Sequence, residues 1–181
     1  STSRGQKIPI EFVGEGLHGY MAKGATVFPQ AIALGSTWDP ELAERIYTVA
    51  ALEASSRGII QLYSPNLDLA REPRFGRTEE MFSEDPYLVA MMGNAGVNGF
   101  QGRSAKPDRN HVATTLKHYV GHGQPQGGRN TAPINISNYD LMNNDIFPFD
   151  YIIKHANPVS IMPSYNEIGG IPNHANPWLV K

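Results

Sequence analysis

The segment that decides the fold is residues 85–118, which read DPYLVAMMGNAGVNGFQGRSAKPDRNHVATTLKH. Its first half predicts a helix over Pro86–Asn98, because Asp85 is a typical N-cap, proline suits the first helical position and Gly99 is typical of a helix end. Its second half contains Val112–Leu116, a short apolar run of the kind that forms a buried strand. A helix followed by such a strand is the repeating unit of a parallel sheet.

The same alternation of strand and helix continues on both sides of this segment. Four apolar runs predict strands: Ile8–Val13, Ile59–Tyr63, Val112–Leu116 and Val159–Met162. Two more helices are predicted from their capping residues: Pro40–Arg57 between Asp39 and Gly58, and Asn138–His155 between Ser137 and Asn157-Pro158. Regular alternation of this kind predicts an α/β fold with parallel strands.

Long loops follow the predicted strands, and three of them are rich in Gly and Pro: Gly14–Ser36, Pro65–Ser83 and Gly121–Ile136. In a (β/α)8 barrel, the loops at the carboxyl ends of the strands carry the active site. Four strands cannot close such a barrel, which needs about 250 residues, so we expect a partial (β/α)8, TIM-like barrel of about four βα units. An open doubly wound sheet is the alternative, but no GxxxxGK[ST] motif follows any strand, and the GxGxxG spacing of residues 14–19 is followed by a long loop and not by a helix.

The composition excludes several classes of function. The chain carries 15 Lys and Arg against 17 Asp and Glu, a formal net charge of −2, so a nucleic-acid partner is not expected. Cysteine is absent, which rules out disulfides, thiolate metal sites and Cys nucleophiles in this chain. No apolar run approaches the roughly 20 residues that cross a bilayer, so no membrane partner is expected. The compartment stays open, since a removed signal peptide leaves no trace.

The first two long loops carry candidate ligand-binding groups. Residues 14–19 read GEGLHG, where Glu15 is either an acceptor for ligand hydroxyls or a solvated turn residue. Residues 68–85 contain three Arg and six acidic residues, most of which should tie the loop together through charge-assisted hydrogen bonds. An Arg fork also suits paired hydroxyls, but the spacing does not tell which Arg faces a ligand.

The strand Val112–Leu116 is followed directly by Lys117 and His118. A charged Lys at the end of an apolar strand is costly unless it has a partner or points into a wet site. Consecutive strand residues face opposite sides, so only one of the two side chains reaches the site unless a bulge or the strand's end admits both. After the fourth strand, Tyr165 is either a wall beside a ligand ring or an ordinary core tyrosine.

Metal-binding and serine-nucleophile motifs have little support. His118 and His122 have the spacing of a helical metal pair, but Gly121 and Gly123 argue against a helix, and HExxH does not occur. GxSxG does not occur either, so a serine hydrolase has no support. No metal and no cofactor are therefore expected.

Four segments, taken together, resemble the N-terminal barrel domain of glycoside hydrolase family 3. They are Gly14–Gly19 with Thr26–Gln30, Arg71–Pro86, Lys117–Gly123 and Ser164–Asn166. Each is weak alone, but the common order and similar spacing extend over nearly the whole chain. The resemblance implies a retaining β-glycosidase, an enzyme class whose two catalytic carboxyl groups lie about 5–5.5 Å apart.

By this resemblance, Glu15, Arg77, Lys117 and His118 would bind sugar hydroxyls in the −1 subsite, and Tyr165 would lie near the nucleophile and the reactive sugar. Arg77 is preferred because it is the second Arg of the family's Arg-aromatic-Gly-Arg segment, which is RFGR at residues 74–77. The resemblance also implies scaffolding roles for other loop residues: loop packing for His122, Asp85 and Glu84, and structural ion pairs for Asp68 and Arg71.

The catalytic residues are not expected in this chain. In the family, the nucleophilic Asp follows the next strand in a Ser-Asp-aromatic segment, and the acid/base carboxylate lies farther on. Residues 1–181 are therefore expected to be one incomplete barrel segment, without the start and the C-terminal half of the barrel and without the α/β sandwich domain that follows it. The expected partners are the remainder of the same protein and a β-linked gluco- or xylo-oligosaccharide.

One loop narrows the substrate. The hexosaminidase branch carries Asp-Ser-His soon after Gly-His-Gly, whereas residues 124–130 read QPQGGRN, which counts against N-acetylglucosamine. Terminal non-reducing β-D-glucosides are the favoured substrates, with β-xylosides as the alternative. A catalytically inert carbohydrate-binding fragment is a further interpretation. The resemblance favours a secreted or periplasmic protein without fixing the compartment.

Overall fold

The computed structural model describes residues 9–181 and contains a four-stranded parallel sheet in the order β1-β2-β3-β4. The strands are β1 (Val13–Gly14), β2 (Gln61–Leu62), β3 (Ala113–Tyr119) and β4 (Ser160–Pro163). Each strand pairs with the next one along the chain, as successive βα units require. The predicted α/β fold with a parallel sheet, part of a TIM-like barrel, is confirmed. Within the described residues the sheet is open.

Helices connect the strands, and the longer ones pack side by side, α2 on α3 and α3 on α5. Their bounds are α1 (Ala31–Gly35), α2 (Pro40–Ser55), α3 (Pro86–Gln101), α4 (Asn138–Asp140), α5 (Phe147–Ala156) and α6 (Pro177–Val180). The three predicted N-caps are confirmed, since Asp39, Asp85 and Ser137 each accept a hydrogen bond from the backbone N–H three residues later. A short antiparallel hairpin of β5 (Glu167–Ile168) and β6 (Ile171–Pro172) follows β4.

The predicted end of α3 at Gly99 is wrong. The helix continues to Gln101, and the C-cap is Gly102, whose φ of 68° is left-handed. Gly99 serves a different purpose, because a Cβ at this position would lie 2.5 Å from the backbone oxygen of Glu44 in α2. Glycine is needed there for the close approach of two helices.

The third predicted helix, Asn138–His155, is interrupted. It consists of α4, a π-helical turn over Leu141–Asp145, and α5. Pro148 lacks the N–H that would bond the carbonyl of Asn144, so a regular α-helix cannot run through this point. The wider turn leaves Asp145 only 2% exposed. A carboxyl group is thereby placed in the interior.

The predicted strand positions are correct, but their bounds are not. Ile8, the start of the first predicted strand, lies outside the described residues, and Ile10 and Phe12 are more than half exposed at 53% and 54%. The strand β3 is longer than predicted, so Lys117 and His118 lie within it and do not follow it.

The core lies between the sheet and helices α2, α3 and α5. Its largest fully buried apolar side chains include Leu62 and Leu116 from the sheet, Tyr47 from α2, Phe100 from α3 and Phe149 from α5. Burial of such side chains is the main stabilising term in a fold of this size. This packed layer fixes where the strands end. No helix within residues 9–181 has the length and hydrophobicity to cross a bilayer.

Candidate functional site

Four of the five predicted ligand-binding residues lie together beyond the carboxyl edge of the sheet. Glu15 follows β1, Arg77 comes from the loop after β2, and Lys117 and His118 are in β3. The Nζ of Lys117 donates to Oε2 of Glu15 at 2.8 Å, and Nη2 of Arg77 lies 3.1 Å from Nε2 of His118. Side chains distant in sequence therefore form one polar cluster.

Glu80 joins the two halves of this cluster, and the sequence reasoning missed it. It binds the Arg77 guanidinium with both oxygens, at 2.8 and 2.9 Å, and its Oε2 lies 3.9 Å from Nζ of Lys117. Burial alone would raise the pKa of the Glu80 carboxyl, but the hydrogen bonds and charge of Arg77, helped by Lys117, hold it below its ordinary value. Glu80 is thus a carboxylate that fixes two cations.

Lys117 is 2% exposed, an unusual environment for an ammonium group. Such burial is tolerated only with charged partners, which Glu15 and Glu80 supply. The Glu15 side chain is 48% exposed, so the pair opens toward solvent on that side. A ligand hydroxyl arriving there would meet an acceptor and a buried donor together.

Both Lys117 and His118 reach the site, although they are neighbours on a strand. The pairing of β3 with β4 shifts register between Leu116 and Tyr119, which interrupts the regular alternation of sides. The alternative in which only one of the two faces the site is therefore wrong.

Buried Asp68 contacts both the ring and the backbone N–H of His118. Nδ1 lies 2.7 Å from Oδ2 of Asp68, and the backbone N–H of His118 donates to Oδ1 at 3.2 Å. Burial would raise the pKa of Asp68, but its contacts with His118 outweigh this and lower it. The expected structural partner of Asp68 is thus a histidine, bound through a hydrogen bond from its Nδ1, and Arg71 makes no ion pair within the described residues.

The loops after β2 and β3 are fastened to each other through backbone groups. The carbonyl of Gly123 accepts from the N–H groups of Arg71 and Glu72, at 3.3 and 3.1 Å. A Cβ on Gly123 would collide with the backbone of Leu69, so glycine allows this close approach. The loops that carry Arg77 and His122 therefore behave as one unit.

Tyr165 lies at the rim of the cluster. It is 53% exposed, so it is not a core tyrosine. Its ring centroid is 5.8 Å from that of His122 and 6.5 Å from that of His118. The exposed ring therefore offers an aromatic face to a ligand.

The predicted scaffolding residues differ in what they contact. Asp85 caps α3, as expected of a structural residue. His122, by contrast, is fully buried inside the cluster, and its Nε2 lies 3.3 Å from Nη1 of Arg77. No side-chain hydrogen bond of Glu84 to another described residue is present.

The cluster offers hydrogen-bond donors and acceptors, and no metal centre. The described residues contain no group of three or more His, Asp and Glu placed to hold a metal ion. Its three carboxylates are all engaged, Glu15 by Lys117, Glu80 by Arg77 and Asp68 by His118. The arrangement is suited to binding and orienting a polyhydroxylated ligand.

The chain is similar to known proteins over nearly its whole length. Residues 1–181 match the family model described as the glycosyl hydrolase family 3 N terminal domain. A β-xylosidase of Formosa agariphila is 41% identical over 96% of this chain and 25% of its own length. A periplasmic β-glucosidase of Salmonella typhimurium is 33% identical over 97% of this chain and 22% of its own length. The chain thus spans about a quarter of the length of these relatives.

Solved structures show the same fold. A β-glucosidase from Erythrobacter marinus superposes with a TM-score of 0.94 and 40% identity, over 97% of this chain and 23% of that one. A mutant β-glucosidase from Listeria innocua in complex with laminaribiose has a TM-score of 0.89 and 35% identity, over 96% and 24%.

Proposed function

Because the chain belongs to the N-terminal domain family of glycosyl hydrolase family 3, we propose that it forms the sugar-binding wall of a β-glycosidase acting on terminal non-reducing β-D-glucosides. The observation that carries the proposal is the convergence of Glu15, Arg77, Lys117 and His118, from three different strands and loops, on one polar cluster. A single pyranose ring presents hydroxyls in several directions and suits such a cluster.

Each residue has a role in this proposal. Glu15 accepts a hydrogen bond from a sugar hydroxyl, and Lys117 donates to the same region of the ring from its buried position. Arg77 donates through its one N–H that has no partner among residues 9–181. His118 meets the sugar beside Arg77, sharing its Nε2 with the Arg77 Nη2 group. Tyr165 lines one side of the ring.

The catalytic carboxylates are proposed to come from other parts of the same protein. Every carboxylate in the cluster is already bound to a cation or a histidine, which supports this assignment because a nucleophile must be free to attack. The proposed reaction proceeds with retention, through a glycosyl-enzyme intermediate. In this account residues 1–181 are one segment of a larger barrel, and they orient the sugar for groups that the rest of the protein supplies.

A β-xylosidase is the second candidate, and a specific observation favours it: the β-xylosidase of Formosa agariphila is 41% identical to this chain. Steady-state kinetics of the complete protein on an aryl β-glucoside and the matching aryl β-xyloside separate the two. We expect turnover with a higher kcat/KM on the glucoside. A higher value on the xyloside selects the second candidate. Binding of glucose by calorimetry without turnover of either substrate would leave an inert carbohydrate-binding protein.

A further inference from the structure

His122 is enclosed by three aromatic rings. It is fully buried, with ring centroids at 5.1 Å to Phe75, 4.8 Å to His118 and 5.8 Å to Tyr165. It contacts Arg77 and is not one of the five proposed sugar-binding residues. Its ring therefore acts on the ligand only through a neighbour.

That neighbour is Arg77, and its chemistry determines the state of the His122 ring. Nη1 of Arg77 lies 3.3 Å from Nε2 of His122. A guanidinium can only donate, so Nε2 must present its lone pair to form this hydrogen bond. Burial lowers the pKa of His122 to about 4, despite the opposing influence of Asp68, so the ring is neutral at neutral pH.

A second contact offers the opposite tautomer. Oδ1 of Asn130 lies 3.1 Å from the same Nε2 and would accept from an Nε2–H. That proton would lie against the N–H groups of a permanent cation, whereas a bond from the cation to the lone pair is charge-assisted. Turning the Asn130 amide, whose nitrogen and oxygen are interchangeable in shape, removes this acceptor, and the amide N–H then shares the Nε2 lone pair with Arg77. Nδ1 has no partner among the described residues in either tautomer, so it favours neither.

The contact with His122 occupies one of the five N–H groups of Arg77. A guanidinium has five N–H groups. Nε and Nη2 both donate to Glu80, the second N–H of Nη2 meets His118, and one N–H of Nη1 meets His122. A single Nη1 N–H remains, and its direction is set by the other four.

We propose that His122 is a positioning residue, a neutral imidazole whose Nε2 lone pair holds Nη1 of Arg77 so that its last N–H faces the sugar. The inference rests on the proposed function. It assigns an orienting role in the binding step to a residue that does not itself contact the sugar.

The test compares two variants in the complete protein. His122→Phe keeps a flat buried ring without the acceptor, and we expect kcat/KM on the preferred aryl β-glycoside to fall about tenfold. His122→Gln places an amide oxygen near the position of Nε2 and should recover most of that loss. In an Arg77→Ala background, His122→Phe should cost less than twofold, because the group it orients is gone.

The outcomes are distinct. No turnover by the wild-type protein would sink the proposed function. An active wild type with His122→Phe unaffected, or equally impaired with and without Arg77, would overturn the positioning role alone. If His122→Phe does not fold, neutron diffraction from wild-type crystals of the complete protein gives the answer without a variant. A deuteron on Nδ1 and none on Nε2 supports the proposal, and a deuteron on Nε2 overturns it.

Discussion

At the scale of single residues, the site is a row of alternating cationic and anionic side chains, in which each inner member contacts two neighbours. Glu80 holds Arg77 and lies near Lys117, which in turn binds Glu15. Lys117 is the member that is hardest to replace, because it is a buried cation that contacts both Glu15 and Glu80. Its loss removes a donor that no neighbour can substitute.

Lys117→Ala in the complete protein is predicted to lower kcat/KM on an aryl β-glucoside ten- to a hundredfold or more, since a hydrogen bond to a charged group is worth about 1.5–3 kcal/mol. Lys154→Ala is the matched control. Lys154 is an exposed Lys that pairs with Asp150 on the surface of α5, and its loss should leave the kinetics unchanged. Equal kinetics for the two variants would remove Lys117 from the site.

Some of these residues could be predicted from the sequence and others could not. Lys117 and His118 could be predicted because polar side chains at the end of an apolar strand are costly unless they have a partner or point into a wet site. Glu80 could not, because it is one of six acidic residues in a single loop, and only the fold shows which of them meets Arg77. The resemblance implies a scaffolding role for His122, and only the fold shows that it contacts Arg77 from another loop.

At the scale of secondary structure, two details decide how the elements fit. The strand order and the N-caps follow from local patterns, which the sequence shows directly. The end of α3 and the break before α5 do not, because they depend on tertiary contacts and on the bond that Pro148 cannot make. Gly99 illustrates the difference, since the same residue type marks a helix end in one context and a helix crossing in another.

Gly99→Ala is predicted to destabilise the protein by about 1–3 kcal/mol, because the added methyl would lie 2.5 Å from the Glu44 oxygen and 3.0 Å from the Thr48 nitrogen, both in the backbone of α2. Gly96→Ala, in the same helix, is the control. Its Cβ would meet side chains at 3.4 Å, and alanine favours the helix, so little or no loss is expected. Equal unfolding free energies for the two variants would show that the α2–α3 crossing can accommodate the added methyl group.

A second prediction at this scale concerns the pKa of Asp145, which the π-helical turn buries. Burial, outweighing the opposing influence of Arg71 and the hydrogen bond from Gln124, raises its pKa from 3.8 to about 6. The folded state therefore binds the proton more tightly than the unfolded state does, so the free energy of unfolding falls as the pH rises from about 4 to about 6.

Asp145→Asn removes this dependence while keeping an oxygen for Gln124. In denaturant unfolding at pH 7.5, the variant should be more stable than the wild type by about 1–3 kcal/mol, and the gain should vanish near pH 4. Asp150→Asn, at an exposed position of α5, is the control and should show no such gain. A loss of stability in Asp145→Asn at both pH values would mean that the carboxylate has a stabilising partner.

At the scale of the whole molecule, the open sheet leaves apolar side chains uncovered. Ile153, Val159 and Ile161, on and between α5 and β4, are 45%, 49% and 38% exposed, and a groove of about 420 Å³ lies along this face. Unpaired parallel strand edges with apolar neighbours favour association. This face suits the continuation of the barrel proposed above.

Residues 1–181 produced alone are accordingly predicted to self-associate and to show no glycosidase turnover. Light scattering and assays with aryl β-glucosides and β-xylosides check both points. A monodisperse monomer would contradict the account of the exposed face. Turnover that disappears when a carboxylate within this chain is replaced would place a catalytic group among these residues.

The central claim is that side chains from successive strands converge on one sugar ring. A crystal structure of the complete protein soaked with glucose tests it most directly. We predict one pyranose with hydroxyls within hydrogen-bond distance of Glu15, Lys117, Arg77 and His118, and with Tyr165 beside the ring. A glucose bound elsewhere, with the Lys117–Glu15 pair untouched, would contradict the account.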